Sequence, residues 1–159
     1  MKLFGSCLSR ERVLRAAAVA LALAAVAPAD EARAGCRAEP LSGWREQGVR
    51  WLGGCVSGAA NGLGALKYYD GGALRATFFG EFRNGAAILG VIDKGGSYVA
   101  GHVVGSEIAD SSDRNEIIAA FRVASRAAEK VSEDFAAAGN KDSAAHYRAV
   151  AKKLADQMD

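Results

Sequence analysis

The glycines of this chain are confined almost entirely to one stretch, and that asymmetry limits the fold more than any other feature. Between Gly43 and Gly105, 16 of 63 residues are glycine; from Ser106 onward, Gly139 stands alone among 54 residues that include fourteen alanines. Glycine weakens helix interiors and serves tight turns, whereas alanine is the best helix former. The sequence therefore predicts an α+β chain: a turn-rich β region at 35–105, then an α-helical hairpin at 106–159. In the first part, Val49 to Leu52, Leu66 to Tyr69, Ala76 to Phe79, Ile88 to Ile92 and Tyr98-Val99 are short and β-branched or aromatic. Each is bounded by Gly or Asp-Gly turns, which is the pattern of an antiparallel meander.

In the second part, Asp113 with Glu116 three residues later predicts a capping box. Ile117, Phe121, Ala124, Ala128, Val131, Phe135 and Ala138 follow at alternating intervals of four and three, an apolar seam closed by Gly139. A second helix from about Asp142 puts Tyr147, Val150, Leu154 and Met158 on one face. Phe135, Gly139, Ala144 and Ala151 have spacings similar to a tetratricopeptide repeat, but one such unit builds no binding superhelix. The plain reading is a helical pair whose seam packs on itself, on the sheet, or on a second copy.

Residues 1–34 read as an export signal. Lys2, Arg10, Arg12 and Arg15 precede the apolar run Ala16 to Ala27, and Ala32-Arg33-Ala34 offers small residues for cleavage between Ala34 and Gly35. A lipoprotein box would acylate Cys36, but Arg33 stands where that box calls for Leu or Val. Removing Lys2, Arg10, Arg12, Arg15 and Arg33 from twenty cations, and Glu11, Asp30 and Glu31 from eighteen acids, leaves fifteen of each. A neutral mature chain lacks the cationic excess that nucleic acid demands. An apolar share of 50% argues against a disordered chain. No apolar run of about 20 residues lies beyond the leader, so no span of the mature chain across a membrane is expected. The expected location is periplasmic or secreted.

Cys7 leaves with the leader, and the two remaining cysteines, Cys36 and Cys55, form an even count in an oxidising compartment. One disulfide is the expected outcome. No metal site is expected, because His102 and His146 lie far from the cysteines along the chain.

The β region repeats itself. Trp51 is followed by glycines at 53, 58, 62 and 64; Phe78-x-Gly80-x-Phe82-x2-Gly85 restarts the pattern; Tyr98-x2-Gly101-x3-Gly105 gives a looser third copy with its glycine one residue late. Such periods indicate stacked supersecondary units. The register of Trp51, Gly53, Gly58, Gly62 and Gly64, with Asn84-Gly85 after Phe82, resembles a MORN repeat, in particular secreted bacterial members of that family. The resemblance covers about residues 51 to 105. It implies an elongated antiparallel meander and a non-catalytic role in interaction or membrane proximity.

No nucleophile motif, phosphate loop or nucleotide fingerprint is present, so no catalytic residue and no cofactor is assigned. Asp70 and Glu81 are the one carboxylate pair with a hydrolytic precedent. Asp70 is explained by its turn and Glu81 by outward alternation. Candidate contact residues are the aromatics Trp51, Tyr69, Phe79 and Tyr98 of the strands, with Phe121 and Phe135 of the seam. By strand alternation, Tyr69 and Phe79 are the outward members of their pairs. The expected function is an exported, non-catalytic interaction protein that binds a protein or envelope component, or self-associates through the tail. The alternative is a small periplasmic enzyme or enzyme inhibitor using the Cys36–Cys55 loop.

Overall fold

The computed structural model describes residues 35–109 and 111–159. The leader and its cleavage site at Ala34 lie outside the described residues. Six antiparallel strands form one sheet in sequence order: β1 (Val49–Val56), β2 (Ala59–Asp70), β3 (Ala73–Arg83), β4 (Ala86–Asp93), β5 (Tyr98–Val104) and β6 (Glu107–Ile108). Two helices follow, α1 (Arg114–Ala137) and α2 (Lys141–Ala155). The expected α+β meander with a helical hairpin is thus present. Ser57-Gly58 and Asn84-Gly85 turn two of the hairpins with both residues at positive φ, the geometry that suits the twist of flanking strands.

The glycines explain the sheet. Gly53, Gly64, Gly80, Gly90 and Gly101 are register partners in succession, one row across five strands. Aromatic rings fill the space that the missing side chains of Gly53, Gly64, Gly80 and Gly90 leave, and Ile108 with the Ala109 carbonyl fills that at Gly101. A Cβ at Gly64 would sit 2.5 Å from Trp51 Cη2, and one at Gly90 would sit 2.7 Å from Phe78 Cζ. Gly101, one place late in sequence, falls into the row because pairing aligns it with Gly90.

Each face of the sheet has its own cover. Trp51, Leu66, Phe78, Phe82 and Ile92 form one cluster with Ala38 and Leu41 of the segment before β1. That segment is a strap. Arg37 N–H donates to Gly58 O (2.8 Å), Glu39 N–H to Gly85 O (2.7 Å) and Ser42 N–H to Ser106 O (2.7 Å). Three hairpin turns at one end of the sheet are thereby tied to one stretch of chain. The strap then returns: Trp44 stacks on Tyr68 at 5.2 Å and Arg45 pairs with Asp70 before β1 begins. Its start is fixed by the disulfide between Cys36 and Cys55, with Cα atoms 5.7 Å apart.

The helices cover the opposite face. Leu52, Ala65, Phe79 and Val91 of the sheet share a cluster with Ala120, Phe121, Ala124, Ala128 and Val131 of α1 and Tyr147 and Leu154 of α2. The composition break at residue 106 falls just before β6, ahead of the change to helix at Arg114, and the sheet and helices share one cluster across it. Asp113 caps α1 by accepting from Asn115 N–H at 2.8 Å, but Glu116 accepts from Ser111 Oγ (2.6 Å) instead of closing the capping box. Gly139 at φ +78 ends α1; Asn140 N–H reaches Phe135 O and Gly139 N–H reaches Ala136 O, the paired bonds of a Schellman motif.

Candidate functional site

The seam residues and outward aromatics fall mainly inside the molecule. Phe79 is 3% exposed, because the face that alternation assigned to solvent is the one α1 and α2 cover. Trp51 is 5% exposed beneath the strap, with its indole N–H donating to Gly54 O at 3.0 Å. Phe121 is buried, edge-on to Tyr98 at 5.6 Å. Phe135 is half-buried and stacked on Tyr147 at 5.5 Å. Tyr69 is half-buried, with Arg50 and Lys67 within 6 Å of its ring. Asp70 and Glu81 do not meet: Asp70 pairs with Arg45 at the β2–β3 turn, whereas Glu81 is flanked by Leu63 and Leu89 and pairs with Arg83. His102 is exposed on β5, opposite Leu89.

What converges is a row of polar side chains that single-residue reading missed. Lys67, Thr77, Asp93 and Tyr98 are register partners across β2, β3, β4 and β5. They lie on the helix-covered face, one step beyond the apolar row Ala65, Phe79, Val91 and Ala100. The bulge between Tyr68 and Tyr69 follows directly and shifts pairing toward the β2–β3 turn. Over this row α2 sets His146, Tyr147 and Val150, while Leu74 and Arg75 on one side and Lys94 and Gly95 on the other form the walls of a groove of about 390 Å³.

Charge within the groove is uneven. Lys67, Arg75 and Lys94 face a single carboxylate, Asp93, whose Oδ1 already accepts from Gly96 N–H at 2.6 Å. Lys67 holds the β2 end of the row, its Nζ 5.8 Å from the Tyr69 ring centroid and 5.9 Å from that of Tyr147. Burial is the strongest single influence on this ammonium and lowers its pKa. Tyr147 and Tyr69 together outweigh it and hold the group above its ordinary 10.5. Lys67 is thus a charged, part-sheltered group steadied by two phenols.

Thr77 is 8% exposed on the groove floor. The Tyr98 hydroxyl, at the β5 end of the row, is buried with no hydrogen-bond partner among the described residues. Leu74 is 49% exposed at the rim. Among the described residues no helix is long and apolar enough to cross a membrane, and no cluster of three His, Cys, Asp or Glu side chains is placed to hold a metal ion. Chemically, the groove offers fixed positive charge beside apolar surface. No protein-family model matches the chain, and neither a curated protein nor a solved structure matches it.

Proposed function

We propose that the protein is an exported, non-catalytic interaction module of MORN-like construction, which binds a protein or another envelope component through the groove between α2 and the ends of β2, β3 and β4. The MORN-like reading is supported by aromatics set over glycines two residues on, Trp51 over Gly53 and Phe78 over Gly80. The disulfide fits an oxidising compartment, periplasmic or extracellular. The observation that carries the binding site is the groove itself, where cationic side chains converge on a concavity while the strap and the helices cover the two broad faces.

A photocrosslinker at Leu74 tests the reading against one at Val56, which is 55% exposed on the β1–β2 hairpin. A defined adduct from Leu74 alone, lost in Lys67→Met, is the expected result. Identical adducts from both positions refute it. A second reading, a small periplasmic enzyme, draws on His146, Lys67 and Asp93 lining one groove. It requires that His146→Ala abolish function while the Leu74 adduct persists.

A further inference from the structure

We infer that the groove is a site for a small amphiphilic anion, whose carboxylate or phosphate meets Lys67 and whose apolar end lies against Leu74 and Val150. The inference rests on the groove reading above and names the chemistry the groove selects.

Three independent features lead to it. The first is charge: three cations to one carboxylate, in a mature chain with equal numbers of each, is a local concentration of positive charge. The second is availability. The groups acting on the charge of Lys67 are Tyr147 and Tyr69, neither of them a carboxylate, and Asp93 is occupied by the turn it caps. A part-buried ammonium that rests against two phenol rings, with no carboxylate paired to it among the described residues, gains most from an incoming anion, because charge-assisted hydrogen bonds strengthen as water is excluded. The third is the apolar side. Leu74 is exposed at the rim, and Phe79 and Val150 line the groove. The volume of about 390 Å³ falls within the range of small-molecule sites, about 300–1,000 Å³. A bare inorganic ion leaves that surface wet, and an apolar cation meets three like charges.

Calorimetry on the oxidised mature chain at low salt, with octanoate, octyl phosphate, acetate, inorganic phosphate and octyltrimethylammonium as probes, tests this. Octanoate or octyl phosphate should bind at least about tenfold more tightly than acetate or phosphate, as burial of several methylenes requires. The better of the two identifies the headgroup. Lys67→Met should weaken binding at least about tenfold with an unchanged circular dichroism spectrum. Should that variant not fold, the exposed pair Arg75→Gln and Lys94→Gln carries the same expectation at about threefold, the scale of long-range charge at a wet rim. Equal affinity for octanoate and octyltrimethylammonium, or affinity unaltered by these substitutions, overturns the inference. A macromolecular adduct at Leu74 that survives such a result leaves the interaction module standing and removes only its proposed ligand class.

Discussion

Trp51 occupies the volume that a side chain at Gly64 would need: a Cβ there would lie 2.5 Å from Cη2 of the indole, across the strand pair β1–β2. The ring lies flat along the sheet because the neighbouring strand has nothing to displace it. Phe78 does the same over Gly80 and Gly90. The aromatic-x-glycine spacing in the sequence is therefore a packing rule for one face, with turn formation left to other glycines.

Alanine at Gly64, Gly80 or Gly90 should cost about 1–3 kcal/mol through overpacking against ring and backbone. Gly54→Ala serves as the control, since a Cβ there meets only Asn61 O at 3.4 Å. Urea denaturation of the four variants gives the comparison. Equal losses at Gly54 and Gly64 would show that the row is not a packing device.

Reduction of Cys36–Cys55, which closes a separation of 19 residues, should destabilise the fold by about 3 kcal/mol on the loop-entropy model. The strap loses its anchor first, so amides of Arg37 and Glu39 should lose hydrogen-exchange protection before those of Phe78 and Val91. Uniform loss across all four would mean the strap has no independent opening.

Phe121→Ala should destabilise the whole chain by about 3–5 kcal/mol, since the ring is buried between α1 and the sheet. A fragment ending at residue 109 bares Leu52, Ala65, Phe79 and Val91 together and should aggregate or bind hydrophobic dyes even when oxidised. A monomeric, cooperatively unfolding fragment would show that the strap-side cluster alone sustains the sheet.

Lys67 gives the fold an alkaline signature. Its pKa is held above 10.5, so its stabilising contribution is complete below that value and disappears as pH climbs through the raised one. The difference in Tm between the protein and Lys67→Met should stay constant from neutral pH to about 10.5 and narrow above it. A gap that widens with alkalinity contradicts the assignment. The side chain is half solvated, so the effect is a small one.

The strands, their hairpin turns and the end of α1 at Gly139 were legible because each depends on neighbours in sequence, and the cysteine pair because only two cysteines follow the leader. Three features were not. Phe79 reads as outward by alternation, and only the docking of α1 and α2 makes its face an interior. Lys67, Thr77, Asp93 and Tyr98 stand far apart in sequence and become neighbours through three successive registers. A bulge displaced by one residue would scatter them. The strap left no trace in periodicity because it is irregular chain: its backbone bonds go to turns, and its buried side chains, Ala38 and Leu41, follow neither a strand nor a helix repeat.

That strap also acts as a gauge. The N–H groups it donates to the turns are spaced two and three residues apart, at Arg37, Glu39 and Ser42, and each meets a successive turn at the same end of the sheet. Turns on one end are separated by two strands, about 9.5 Å, close to the reach of two to three extended residues. The count of hairpins is thus matched to the count of strap residues. Duplicating one aromatic-glycine unit would widen the sheet beyond the tether, leaving a turn uncapped unless two or three residues were added before Trp44. Repeat number in this architecture is set outside the repeats.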